Sequence, residues 1–104
     1  MGAMQIFPAE GGMYRADYGV DMVVDHDYSE SGKLTYTITR PTPQYTYTAD
    51  ISVEPIRDDV YMVTFEDLQA RMVLVEDFGA GKVTTFMAMK DGSFAQFTGT
   101  FTKL

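Results

Sequence analysis

The chain has no cysteine, no tryptophan and no asparagine in its 104 residues, and only one histidine. Without cysteine there is neither a disulfide framework nor a thiolate metal site. Without asparagine there is no N-glycosylation acceptor, and hairpin turns must rely on Gly, Asp and Ser. Basic residues are also scarce: eight against fifteen acidic ones give a formal charge of −7, and they are scattered singly along the chain. A phosphate backbone or an anionic membrane surface would be repelled, so neither nucleic acid nor membrane is an expected partner. Long apolar runs are missing too. The opening MGAMQIFPAEGG has neither the basic stretch nor the apolar core of a signal peptide, so a cytoplasmic location is expected. Residues 1–3 read as an expression scar before a start at Met4, residues 1–12 as an N-terminal extension, and residues 13–104 as a single domain.

What the chain does have is seven Tyr and seven Phe, arranged with a period of two. From Tyr45 to Glu54, Tyr45, Tyr47, Ala49, Ile51 and Val53 share one face, while Thr46, Thr48, Asp50, Ser52 and Glu54 share the other. Lys33 to Arg40 behaves alike, and Pro41-Thr42-Pro43 ends both runs, because proline cannot donate to a strand ladder. The same test marks strands at Met13–Tyr18, Val20–His26, Val60–Asp67, Arg71–Asp77, Lys82–Met89 and Ser93–Thr102, eight in all. Residues 66–72 also fit a turn or two of helix. The breaks between strands are hairpin-sized, and the crossovers that parallel neighbours need are missing. The expected fold is therefore an all-β, eight-stranded, antiparallel up-and-down barrel, with a two-sheet sandwich as the alternative.

An inward apolar face would hold Tyr14, Tyr18, Tyr36, Tyr45, Tyr47 and Tyr61, six of the seven tyrosines, with Met22, Val24, Leu34, Ile38, Ile51, Val53, Val63, Phe65, Phe97 and Phe101. His26, Arg40 and Asp67 share that parity and would point inward or sit at a rim. Buried phenols need partners, which implies a hydrogen-bonded network, ordered water or a polar ligand group. The expected ligand-binding residues are Tyr14, Tyr36, Arg40, Tyr47, Tyr61, Phe65, Asp67 and Phe97, around a small hydrophobic or aromatic ligand that is anionic if Arg40 meets it. Strands of about seven residues span roughly 23 Å, so the guest must be small. The opposite parity carries Val23, Val60, Met62, Met72, Leu74 and Phe86, an outer apolar surface suited to a homodimer.

Chemistry-bearing motifs are weak. His26 lies between Asp25 and Asp27, but strand alternation turns both acids away from it, and the calcium-loop pattern fails at Glu30 and Tyr36, so no metal site is expected. Phe78-Gly79-Ala80-Gly81-Lys82 is a hairpin turn, because Glu76 stands where a phosphate loop begins with glycine and Val83 replaces the magnesium-binding hydroxyl. No nucleophile elbow is present. The remaining catalytic candidates are Tyr14, Arg40 and Asp67, a phenol, a guanidinium and a carboxylate able to orient and polarise a small acid without a cofactor. A rim salt bridge between Arg40 and Asp67 beside a core tyrosine explains the same residues without chemistry.

Tyr14 to Asp21 (YRADYGVD), Val60 to Glu66 (VYMVTFE), Val73 to Phe78 (VLVEDF), and Asp91 to Phe94 (DGSF) with Gly99 to Phe101 (GTF) resemble the MoaF-like family of lipocalin-like proteins in order and spacing over residues 13–101. That resemblance implies a small calycin-type barrel and no established activity. Phe65 stands where the family commonly has tryptophan. More remotely, the same segments are similar to cofactor-free phenolic acid decarboxylases, which hold a hydroxycinnamate among tyrosines, an arginine and a glutamate. Tyr14 matches the first tyrosine of that family's Tyr-x-Tyr-x-Asn-Gly run, but Ala16 replaces the second. Asp67 replaces the glutamate, and the arginine position falls near Gln44, with Arg40 a loose substitute. The leading functional expectation is thus a small-molecule-binding barrel; a cofactor-free lyase or isomerase and a filled barrel acting only in assembly are the alternatives.

Overall fold

The computed structural model describes residues 7–20, 22–40 and 44–104, so the expected Pro41–Pro43 turn lies outside the described residues. Nine antiparallel strands form one sheet: β1 (Met13–Asp17), β2 (Val23–Asp27), β3 (Lys33–Arg40), β4 (Tyr45–Asp50), β5 (Ser52–Arg57), β6 (Val60–Glu66), β7 (Ala70–Asp77), β8 (Lys82–Met89) and β9 (Phe94–Lys103). Their order across the sheet is β4-β3-β2-β1-β9-β8-β7-β6-β5. The all-β meander is as expected; the closed eight-stranded barrel is not. The sheet is a strongly curled half-barrel whose edges are β4 and β5.

The correction comes from one run of sequence. Tyr45–Glu54 alternates without a flaw, yet Asp50 pairs with Lys33 of β3 while Ser52 pairs with Thr64 of β6. Ile51 is the joint, and its N–H bonds the Gly32 carbonyl at 3.0 Å instead of a ladder partner. Alternation reports which face a side chain takes and says nothing about which strand lies beside it. Pro55 falls on edge strand β5, where its missing N–H does least damage.

The segment 66–72 forms a turn, not a helix. Asp67 Oδ1 accepts the N–H groups of Gln69 and Ala70, both at 2.8 Å, closing the β6–β7 hairpin. On the outer face of β3 and β4, facing threonines bond in pairs: Thr35 with Thr48 at 2.7 Å and Thr37 with Thr46 at 3.0 Å.

Several expected faces are reversed. Leu74 is 2% exposed and Met72 packs against the core, so β7 turns Met72, Leu74 and Glu76 inward and Arg71, Val73, Val75 and Asp77 outward. Val23 and Val60 are buried beside register shifts at Val23/Val24 and Pro55/Arg57, which displace the simple parity. Tyr45, expected inside, is 43% exposed on the edge strand. Tyr28, the one tyrosine left out of the expected interior, is 2% exposed.

Residues 7–12 belong to the packing. Phe7 and Ala9 are buried, and the segment is pinned by Gly11 N–H to the Tyr28 carbonyl and Tyr28 N–H to the Gly12 carbonyl, both 2.9 Å. Phe7 meets Tyr28, Tyr61 and Phe78 edge-on at centroid distances of 5.1, 5.5 and 5.7 Å, covering one end of the half-barrel. Tyr14, stacked on Phe101 at 4.9 Å, completes this aromatic end.

Candidate functional site

Away from the Phe7 end, the curled sheet encloses a cavity of about 90 Å3 with an overwhelmingly apolar wall. Leu34, Tyr36 and Ile38 of β3, with Val24 and His26 of β2, form one side; Phe65, Asp67, Met72, Leu74, Thr85, Met87 and Phe97, from β6 to β9, face them. Tyr18 and Met22, which flank the β1–β2 turn, cover the rest. Each strand sends every second side chain here, which is why the β7 reversal matters: Met72 and Leu74 are wall residues.

The few polar groups are placed in pairs across the interior. The Tyr36 hydroxyl donates to Asp67 Oδ2 at 2.7 Å, joining β3 to the β6–β7 turn. Burial and this bonded carboxylate push the Tyr36 phenol well above its ordinary pKa. Tyr18 and Thr85 hydroxyls bond at 2.5 Å, and burial pushes the Tyr18 phenol up to about 12.

Deeper, between the cavity and the aromatic end, lies a buried polar cluster. Glu76 is 0% and His26 2% exposed. The Tyr28 hydroxyl donates to Glu76 Oε2 at 2.5 Å, and His26 Nδ1 lies 3.2 Å from the same hydroxyl and 3.7 Å from Oε2. Burial, and then the adjoining Glu76 charge, hold the Tyr28 phenol far above its ordinary pKa. Glu76 Oε1 is buried without a hydrogen-bond partner among the described residues.

Of the expected ligand residues, Tyr36, Phe65, Asp67 and Phe97 are brought together at this cavity. Tyr14 and Tyr61 belong to the aromatic end, where both contact Phe78. Tyr47 packs on Tyr36 at 6.0 Å and lines a cleft between β4 and β6 instead. Arg40 ends β3 at the same end of the sheet as Asp67, since β3 and β6 run in the same sense. It is exposed, does not line the cavity and makes no ion pair among the described residues. The expected trio of Tyr14, Arg40 and Asp67 is thus spread over both ends.

His26, Tyr28, Glu76, Tyr18 and Thr85 were not among the expected site residues. Asp25 and Asp27 do turn away from His26: Asp25 pairs with Arg15 at 2.7 Å and Asp27 accepts the Ser29 N–H at 2.8 Å. No group of three or more potential metal ligands occurs among the described residues.

Residues 10–102 match the family model described as MoaF-like. The chain belongs to the MoaF-like family. The MoaF-like half-barrel superposes on a crystal structure from Burkholderia vietnamiensis described as a "putative beta-lactamase", with a TM-score of 0.86 and 20% sequence identity over 97% of this chain and 100% of that one. At that identity the likeness is one of fold. No curated protein matches the MoaF-like chain in sequence.

Proposed function

We propose that this MoaF-like domain binds a small, compact molecule with an apolar or aromatic body in the cavity between β2–β3 and β6–β9. One observation supports it above others: a concave, apolar space is held open beside a limited set of fixed polar groups, Tyr18, His26, Tyr36, Asp67 and Thr85. An engineered apolar cavity of about 150 Å3 takes benzene. The 90 Å3 space here is smaller than that, so it suits only the compact body of a guest, with the remaining length directed past Tyr36 and Asp67. Neither serine nor lysine lines this cavity, so the activity named for the Burkholderia protein is not carried over.

Thermal-shift screening with small aromatic and aliphatic compounds tests the reading. A compound that raises the melting temperature and is recovered unchanged supports binding; turnover supports the alternative of a cofactor-free lyase or isomerase. Absence of any shift across the panel, toluene included, refutes both and leaves a half-barrel that acts only in assembly. Leu34→Trp, which fills the cavity from the β3 side, should abolish the shift.

A further inference from the structure

His26 lines the cavity but turns Nδ1 away from it, toward Tyr28 and Glu76, neither of which is a wall residue. The protons of this cluster can be counted. Tyr28 has a single hydroxyl proton and gives it to Glu76 Oε2 at 2.5 Å. Its oxygen, 3.2 Å from His26 Nδ1, can then only accept, so Nδ1 carries the hydrogen. In a neutral imidazole protonated at Nδ1, Nε2 keeps a bare lone pair. Charging the ring would instead put a second N–H, on Nε2, against an almost wholly apolar wall. Nε2 lies on the ring edge across from Nδ1 and has no hydrogen-bond partner among the described residues. It is not sealed, because the side-chain nitrogen or oxygen buried there without a partner is Glu76 Oε1. The accessible nitrogen of a ring that lines the cavity is therefore an acceptor still to be used.

The other polar groups on the wall narrow what can use it. Tyr18 and Thr85 bond each other at 2.5 Å, which takes one of their two hydroxyl protons and leaves the second. Asp67 is already occupied: Oδ2 accepts from Tyr36 and Oδ1 from two backbone N–H groups. Neither Lys nor Arg lines the space. A carboxylate guest would have no counter-charge and no proton to give, and an ammonium would lose its water without gaining a free carboxylate. A ketone or ether could accept but not donate. A hydroxyl does both.

We propose that the guest is a small neutral hydroxyl compound, its O–H donating to His26 Nε2 and its oxygen accepting the spare proton of the Tyr18–Thr85 pair. This rests on the cavity being a binding site and names the class of molecule it takes. Tyr28 and Glu76 do not touch the guest. It departs from the anionic ligand that Arg40 suggested, because Arg40 lies off the cavity wall.

Nuclear magnetic resonance titration of the full nitrogen-labelled chain with cyclopentanol, cyclopentanone and methylcyclopentane separates the possibilities, at about pH 8, above the ordinary histidine range. The three guests are nearly equal in size and offer a donor with an acceptor, an acceptor alone, or neither. The chain has one histidine, so both ring nitrogens are read without ambiguity. In the free protein Nδ1 should give the signal of a protonated imidazole nitrogen and Nε2 that of a bare one. Cyclopentanol should bind tightest, about tenfold tighter than methylcyclopentane for one added hydrogen bond. It should also move the Nε2 signal, which methylcyclopentane should leave in place, and neither readout needs a variant. His26→Leu should remove the advantage of cyclopentanol while methylcyclopentane still binds. A protonated Nε2 in the free protein, or equal or tighter binding of cyclopentanone or methylcyclopentane, overturns the hydroxyl assignment while leaving the cavity as a binding site. An advantage that survives His26→Leu overturns it as well. Failure of all three compounds to bind refutes the binding site itself.

Discussion

Tyr28→Phe removes one hydroxyl from the centre of the protein and leaves its packing in place, so its cost isolates the bond to Glu76. The ring stays edge-on to Phe7, with centroids 5.1 Å apart, and fills the same volume. What is lost is the 2.5 Å bond to Glu76 Oε2 and the contact with His26 Nδ1. A bond to a charged group contributes about 1.5–3 kcal/mol. Stripping a buried ion of a partner costs about 3–5 kcal/mol when nothing replaces it. Among the described residues Oε1 has no partner, so the loss leaves Glu76 with only His26 there, 3.7 Å away. We expect a destabilisation of about 3 kcal/mol by urea unfolding, equivalent to a fall of roughly 15 °C in melting temperature for a domain of this size. The control is Glu76→Met, which removes the charge while keeping most of the volume. In that background Tyr28→Phe should cost well under about 1 kcal/mol, because no carboxylate remains to be stranded. Equal costs in the two backgrounds, or a loss below about 1 kcal/mol in the wild type, would show that the cluster holds nothing together.

Gly99→Ala should destabilise by at least about 3 kcal/mol, because a Cβ there would overlap the Asp17 carbonyl oxygen and lie 2.7 Å from its carbon, where β9 meets β1. Gly12→Ala, whose Cβ would meet only the Ala9 carbonyl oxygen at an ordinary 3.6 Å, should stay within about 1 kcal/mol in the same denaturation assay; similar costs at both sites would contradict the close approach. In alkali, Tyr18, Tyr28 and Tyr36 should stay neutral past pH 10 and ionise only as the protein unfolds, since burial raises all three in the folded state. Their stabilisation is complete below the unfolded pKa near 10 and is lost as pH rises toward the folded values, so phenolate absorbance amounting to more than the other four tyrosines before loss of near-ultraviolet dichroism would refute it. Outward Met62, Val73, Val75 and Phe86, with Phe94 66% exposed beside Phe86, replace the dimer surface expected from sequence. Sedimentation should give about twice 11.7 kDa, reduced to one chain by Phe86→Lys with Phe94→Lys, and a wild-type monomer would refute the pairing.

The strands were legible wherever apolar and polar residues alternate strictly. They were misread where a strand is apolar on both faces. Residues 70–77 read ARMVLVED, and either parity buries a charge: one puts Glu76 inside, the other Arg71 and Asp77. By local rules, burying Arg71 and Asp77 costs less, because charges at strand ends can reach solvent. The structure instead buries Glu76, since Tyr28 from β2's end is there to bond it. Tyr28 escaped notice because it follows Asp27 into a turn whose Asp, Ser and Gly composition marks a surface hairpin, and nothing local shows that residues 7–12 cover it. The cavity shares this pattern. Tyr36, Phe65, Asp67 and Phe97 were visible from alternation, whereas the approach of His26 to Glu76 beside the cavity spans 50 residues of sequence and has no local signal.

The tyrosine content now has a mechanical reading. A closed barrel joins its last strand to its first by a ladder of backbone bonds, but here β4 and β5 are edges that meet only at Ile51. The two flanks of the curl need another tie. Tyr28 reaches from the end of β2 to Glu76 on β7, Tyr36 from β3 to Asp67 beyond β6, and Tyr18 from the end of β1 to Thr85 on β8. Each is a long, stiff side chain with an apolar ring and a single polar tip, suited to crossing an apolar interior and bonding at the far wall. Phenylalanine would fill the same space without a tie, and a shorter hydroxyl would not reach. Three such struts also keep the walls apart, which is what a cavity beside a dense aromatic end requires. Two of them end on carboxylates, Glu76 and Asp67, so these braces are charge-assisted bonds.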